Sequence, residues 1–171
     1  MNNKYSLITG GTAGIGLDIA KELAKRGHNI LLTARREARL KEISASIKEE
    51  FNVDCNYIAA DLADASAPEM IYNFCSEKNY IVDILVNNAG YSINKKFHET
   101  GEDEEEKFLR VLGIAIVALT KKFIPSMLEQ KHGKIMMVSS LASFAPPSSG
   151  CLLYTSPSPR DATLSRMPSS A

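Results

Sequence analysis

Five short runs rich in apolar residues, at 6–9, 29–33, 54–59, 82–86 and 134–138, recur along the chain with longer segments between them. The intervening segments at 15–25, 37–50 and 68–78 repeat apolar residues every three to four positions, the period of an amphipathic helix. A further helix is predicted from about 102 through Phe108 and Ile116 towards 129. Strands that are apolar on both faces and separated by such helices predict a parallel sheet covered on both sides, with right-handed crossovers. The fold class expected is therefore α/β, a doubly wound parallel sheet. Ligands of such sheets bind beyond the carboxyl ends of the strands, where the strand order reverses.

The first strand hands over to the first helix through Thr9-Gly10-Gly11-Thr12-Ala13-Gly14-Ile15-Gly16. Glycines at 10, 14 and 16 permit positive φ, close approach of backbone to a phosphate, and tight packing of helix on strand. The helix that follows offers unpaired N–H groups and its positive dipole end to an anion. This is the chemistry of a dinucleotide pyrophosphate site. Arg35, Asp61, Asn88 and Ser140 fall at the carboxyl ends of later strands.

With 171 residues, 44% of them hydrophobic, the chain can bury an ordinary core and fits one domain. Twenty basic and twenty acidic residues balance, so composition points to neither nucleic acid nor an anionic membrane as partner. The amino terminus shows no leader, and no apolar stretch is read as long enough to span a bilayer; a cytoplasmic protein is expected. Cys55, Cys75 and Cys151 are widely spaced, without any Cys-x-x-Cys pair, and read as reduced thiols. The acidic run at 102–106 reads as a solvated first helical turn, and His28, His98 and His132 as surface residues.

Taken in order, Thr9-Gly10-x-x-x-Gly14-x-Gly16, Asp61-Leu62, Asn87-Asn88-Ala89-Gly90 and Val138-Ser139-Ser140 resemble the short-chain dehydrogenase/reductase family over about residues 4–150. The resemblance implies a Rossmann fold and hydride transfer between a nicotinamide cofactor and a small-molecule carbonyl or secondary alcohol. It implies that Gly10, Gly11, Thr12, Ala13, Gly14, Ile15 and Gly16 carry the pyrophosphate, and that Asp61 and Leu62 flank the adenine. Asn87, Asn88, Ala89 and Gly90 are implied along the ribose, with a purely structural role for Asn87 equally open. The second strand ends in Arg35-Arg36 where an NAD site would place a carboxylate, which favours NADP(H) over NAD. Ser140 matches the serine that hydrogen-bonds the substrate carbonyl in similar enzymes. Its partners there are the acid and the base-tuning amine of a Tyr-x-x-x-Lys turn.

That pair is not found where the resemblance puts it. Tyr154 is followed four positions on by Ser158, between Pro157 and Pro159, and 151–171 is rich in Ser and Pro without helical periodicity. The run 151–161 back-translates naturally into a transposase-type sequencing-library adapter, and 165–171 resembles its distal end. The domain reading is thus an incomplete NAD(P)-binding domain at 1–150, truncated after the fifth strand, and a non-native or disordered tail at 151–171. Such a fragment would lack the catalytic pair, leave its fifth strand as an exposed edge, and be inactive. Two further departures stand out: Ala115 is placed where related sequences often carry an asparagine that holds a water of the proton relay, and 111–125 reads about one helical turn short. The parent protein is expected to be a homo-oligomer. A non-catalytic dinucleotide-binding sensor or regulator is the alternative.

Overall fold

The computed structural model describes residues 3–140; Tyr154, Ser158, Cys151 and the rest of 151–171 lie outside the described residues. The elements are β1 (Lys4–Thr9), α1 (Gly14–Lys25), β2 (Asn29–Ala34), α2 (Glu37–Phe51), β3 (Cys55–Ala59), α3 (Ala67–Glu77), β4 (Ile81–Asn87), α4 (Glu102–Leu109), α5 (Ala115–Glu129) and β5 (Lys134–Met137). A five-residue π-helical stretch, Arg110–Ile114, joins α4 to α5 without a break. The strands form one parallel sheet in the order β3-β2-β1-β4-β5. The doubly wound α/β architecture is the one the hydrophobic pattern predicts.

Alternation along each strand sends successive side chains to opposite faces. Leu7, Leu31 and Leu85 point into one apolar layer with Ile71 and Cys75 of α3 and Ala115, Leu119 and Phe123 of α5. Ile8, Ile30 and Leu32 point into the other, with Ala20 and Ala24 of α1 and Leu40, Ile43 and Ile47 of α2. The sheet is therefore covered on both faces, which is why its strands read as nearly continuous apolar runs. At the amino ends of β1 and β3, Asp54 ties elements together. Its carboxylate accepts hydrogen bonds from Tyr5 Oη and Asn56 Nδ2 and forms an ion pair with Lys48 at 2.9 Å, while the Tyr5 ring stacks on Tyr80.

All four residues of β5 are exposed, and Ile135, Met136 and Met137 are large apolar side chains at this edge. Residues 92–105 belong, with Ser140, to a second compact unit. Its described part holds a single 3₁₀ turn, Phe97–Glu99, and an ion pair between Lys95 and Glu104 at 2.8 Å. Glu102, Asp103, Glu104 and Glu105 form the first turn of α4, where acidic side chains complement the helix dipole.

One sequence-based expectation is corrected here. Glu102–Glu129 is a continuous helical run of 28 residues, long and apolar enough to cross a membrane by length and composition alone. Two lysines, Lys121 and Lys122, interrupt the apolar run in sequence but do not shorten the helix. In the fold one face of this helix, through Ala115, Leu119, Phe123 and Met127, packs into the core.

Candidate functional site

The strand order turns around between β1 and β4, and there the loops after both strands diverge to leave a cleft of about 630 Å³. Gly10, Thr12, Ala13, Ile15 and Gly16 form one wall; Arg35 and Arg36 follow β2; Asp61 and Leu62 follow β3; Asn88, Ala89 and Gly90 follow β4. The structure thus brings together most of the residues singled out from sequence. Of the residues expected to hold the cofactor, three do not border the cleft. Gly11 does not border the cleft: a Cβ there would stand 2.6 Å from Leu32 Cδ2, on the core side. Gly14, at φ +52°, is needed for the backbone turn into α1. Asn87 is buried and donates from Nδ2 to Thr120 Oγ1 at 3.3 Å, which favours the structural role left open for it.

The glycine turn is shaped by contact as much as by conformation. Gly10 has φ +69°, and a Cβ on it would lie 2.9 Å from Ala89 Cα. Gly16 is helical, so its lack of a side chain serves packing: a Cβ there would sit 2.3 Å from Asn88 Nδ2 and 2.6 Å from the Gly10 carbonyl oxygen. Asn88 occupies that space, donating from Nδ2 to the carbonyl oxygens of Thr9 at 2.9 Å and Gly10 at 3.3 Å. Ala13 precedes α1 with an extended backbone and no side chain able to cap, so the first N–H groups of the helix remain available to an anion.

Thr9 binds the two walls to each other, a role the sequence reading did not assign. Its buried hydroxyl donates to the Val86 carbonyl at 3.3 Å and accepts the N–H groups of Asn88 at 2.9 Å and Ala89 at 3.0 Å. One donor and two lone pairs are all a hydroxyl has, so this one is fully used. The only sequence signal for it is its place directly before Gly10, at a strand end.

Arg35 and Arg36 are exposed, and neither has an ion-pair partner among the described residues. No carboxylate stands at the end of β2; the nearest acidic residue in the cleft is Asp61, whose Oδ1 accepts the N–H of Ala63 at 3.0 Å. Leu62 is buried and packs in one cluster with Val111 and Ala89, giving the cleft an apolar side. Tyr91 and Lys107 also border it, and were not anticipated. Tyr91 stands edge-on to Phe108, with ring centroids 5.5 Å apart.

The expectation for Ala115 is revised. Ala115 is buried in the core with Leu119 and Phe123, whereas the helical residue against Gly90 is Leu112, whose Cδ2 lies 2.9 Å from where a Gly90 Cβ would be. The π-helical stretch, which carries more residues per turn than an α-helix, holds both Val111 and Leu112. The helix runs unbroken through 111–125, with Pro125 inside α5. Ser140 comes three residues after the end of β5 and is exposed; it belongs to the second unit.

A doubly wound sheet with a glycine turn, an uncapped helix N-terminus and a cleft at its switch point defines a nucleotide-binding α/β protein. Residues 4–156 match the short chain dehydrogenase family, and the chain belongs to it. Among curated relatives, it is 35% identical over 147 residues to a very-long-chain 3-oxoacyl-CoA reductase of Rattus norvegicus, covering 84% of this chain and 46% of that protein. It is 33% identical to a fatty acyl-CoA reductase of Acinetobacter baylyi, covering 85% of this chain and 50% of that one. The fold superposes on L-sorbose reductase from Gluconobacter frateurii, solved with NADPH and L-sorbose, with a TM-score of 0.81 and 33% identity over 85% of this chain and 56% of that one. A short-chain dehydrogenase from Sphingobium yanoikuyae in complex with NADPH gives 0.78 and 29%, over 84% and 56%. The chain spans about half the length of these relatives.

Proposed function

We propose that this chain is the NADP(H)-binding part of an oxidoreductase acting on a small-molecule carbonyl or secondary alcohol, working in the cytoplasm without nucleic acid or membrane as partner. The observation that carries the cofactor choice is the pair of exposed guanidinium groups at the end of β2, without an ion-pair partner among the described residues, where no carboxylate borders the cleft. Planar guanidinium forks bind a 2′-phosphate through parallel charge-assisted bonds, and a carboxylate at that strand end would repel it. The N–H groups at the start of α1 hold the pyrophosphate. Leu62 and Val111 supply the apolar contact for the adenine, with Asp61 at its edge, and Ala89 and Gly90 run along the ribose. The bound nicotinamide supplies the hydride. Structural neighbours solved with NADPH support the same choice.

Ser140 is assigned to the substrate carbonyl on the family resemblance, and the chain itself is proposed to be inactive. Tyr154 lacks a lysine four positions on. The spacing recurs at Tyr91 and Lys95, but that segment is not helical and the Lys95 ammonium is held by Glu104. The sensor reading has one observation in its favour, the apolar Leu112 beside Gly90, which offers no amide for a relay water.

Isothermal titration of the chain with NADPH and NADH tests the assignment. NADPH should bind more tightly, and Arg35→Ala with Arg36→Ala should reduce that preference by about ten- to a hundredfold, the worth of hydrogen bonds to a charged group. Equal affinities in the unaltered chain would remove the NADP(H) reading, and binding of neither would remove the cofactor site. Turnover of a ketone panel with NADPH should match a buffer blank.

A further inference from the structure

Four charged residues border the cleft, of which Arg35 and Arg36 are assigned to the 2′-phosphate and Asp61 to the edge of the adenine. The fourth is Lys107, in the last turn of α4. Its neighbours single it out. Asp103 and Glu104 stand four and three positions before it on the same helix, the spacing at which a helix pairs opposite charges. Arg110 uses that spacing and pairs with Glu106 at 2.7 Å, and Glu104 is taken by Lys95 at 2.8 Å. Lys107 is exposed and forms no ion pair among the described residues, with Asp103 or with any other carboxylate. Asp61 is exposed as well; its Oδ1 accepts the N–H of Ala63 at 3.0 Å, and no described cation pairs with it. Two opposite charges thus border one cleft without meeting.

The apolar residues beside them indicate what belongs there. Leu62, next to Asp61, and Val111, one turn after Lys107, both border the cleft and share one apolar cluster, the surface given to the adenine ring. The edge of adenine farthest from its sugar carries a donor, the 6-amino group, beside an acceptor, ring nitrogen N1. Resting on the NADP(H) reading, we infer that Lys107 is a further cofactor-binding residue: its ammonium donates a hydrogen bond to N1 of the adenine while the Asp61 carboxylate accepts one from the 6-amino group. An ammonium only donates and a carboxylate only accepts, so the pair recognises that edge in one order. Hypoxanthine reverses the order, with an oxo group at position 6 and a hydrogen on N1, and sets acceptor against acceptor and donor against donor.

Calorimetry with NADPH and with its hypoxanthine analogue, reduced nicotinamide hypoxanthine dinucleotide phosphate, compares the unaltered chain with two variants. Lys107→Met keeps the length of the side chain and removes its donors, and Lys107→Arg keeps donors and charge. The thermal midpoint of each nucleotide-free chain is read by circular dichroism. The unaltered chain should prefer NADPH by about tenfold or more. Lys107→Met should weaken NADPH by about five- to tenfold and the analogue by less than about twofold, with the free midpoint within about 3 °C of the original. Lys107→Arg should hold NADPH within about threefold of the original affinity. Equal weakening of the two nucleotides by Lys107→Met marks a general attraction for phosphate and overturns the inference, as does undiminished binding of NADPH; both leave the cofactor site standing. Weakened NADPH binding with a lower midpoint in the free methionine variant marks a structural lysine and overturns it too. Failure of the unaltered chain to bind either nucleotide removes the cofactor reading and this inference together.

Discussion

Replacing Gly16 with alanine puts a methyl group into space that Asn88 occupies. The new carbon would lie 2.3 Å from Asn88 Nδ2 and 2.6 Å from the Gly10 carbonyl oxygen, against an ordinary contact of about 3.5–4.0 Å. The amide must retreat by more than about 1 Å, losing its bonds to Thr9 and Gly10, and the Gly10 carbonyl must shift although Gly10 is itself pressed against Ala89. Overpacking of this kind costs about 1–3 kcal/mol and each lost hydrogen bond about 1 kcal/mol, offset by about 1 kcal/mol of helix propensity gained by alanine. The net loss expected is about 2–4 kcal/mol, a fall in thermal midpoint of roughly 5–15 °C for a domain of this size. Gly14→Ala is the comparison, because nothing among the described residues lies within 4 Å of its Cβ position and only its left-handed backbone, φ +52°, is strained, at about 1–2 kcal/mol. Far-ultraviolet circular dichroism melts and urea titrations of Gly16→Ala, Asn88→Ala and the double variant complete the cycle. The Gly16→Ala penalty should shrink by at least about 1 kcal/mol once Asn88 is trimmed. A penalty of equal size in both backgrounds, or a melt of Gly16→Ala within about 2 °C of the original, would refute the contact argument.

Thr9→Val removes a hydroxyl that serves three backbone groups, leaving the N–H groups of Asn88 and Ala89 unpaired; a loss of about 2–4 kcal/mol is expected in urea titration, and a loss below about 1 kcal/mol would show the loops reorganising freely. Burial, the hydrogen bond to Asp54 and the nearby Tyr80 raise the Tyr5 phenol well above its ordinary range, so the neutral form is favoured on folding. Stability from this group is full below about pH 10 and falls as pH rises further; Tyr5→Phe should flatten that alkaline slope, and an unchanged slope would count against the assignment. Burial pushes the Asp54 carboxyl up, but hydrogen bonds from Tyr5, Lys48 and Asn56 outweigh it and lower the acid overall. Its contribution is present above about pH 4 and lost as pH falls through the depressed value, so Asp54→Asn should weaken the acid limb of a pH–stability curve. Burial also pushes the Cys55 thiol up to about 11 and the Cys75 thiol to about 12, so peptide mapping after iodoacetamide at pH 8 should find both unmodified in the folded chain and modified in urea.

The alternation of strands and helices and the glycine turn were legible because the signals involved are local: period, glycine placement and the charge at one strand end. What escaped depends on phase. Asn87 and Asn88 are neighbours, yet one side chain turns towards Thr120 and the other into the glycine turn, a distinction set by how the end of β4 leaves the sheet. Likewise Ala115 and Leu112 are one turn apart on one helix, and the π-helical stretch between α4 and α5 decides which meets the core and which meets Gly90. Apolar composition alone cannot report that rotation. Thr9 was invisible for a related reason: a threonine in a strand reads as ordinary β-propensity, and its hydroxyl gains meaning only from the strand beside it.

The Thr9 hydroxyl joins β1 to residues 79 positions away, whereas β1 reaches β2 through a short crossover that pairs Tyr5 with Asn29. Closing the longer loop carries the larger entropic penalty, and its reward comes only when β4 docks beside β1. The cleft is made from both sides of that seam, so no half-built sheet contains it. A nucleotide bound in this cleft would therefore stabilise only the sheet in which β4 has docked beside β1, raising the share of chains that have completed that pairing.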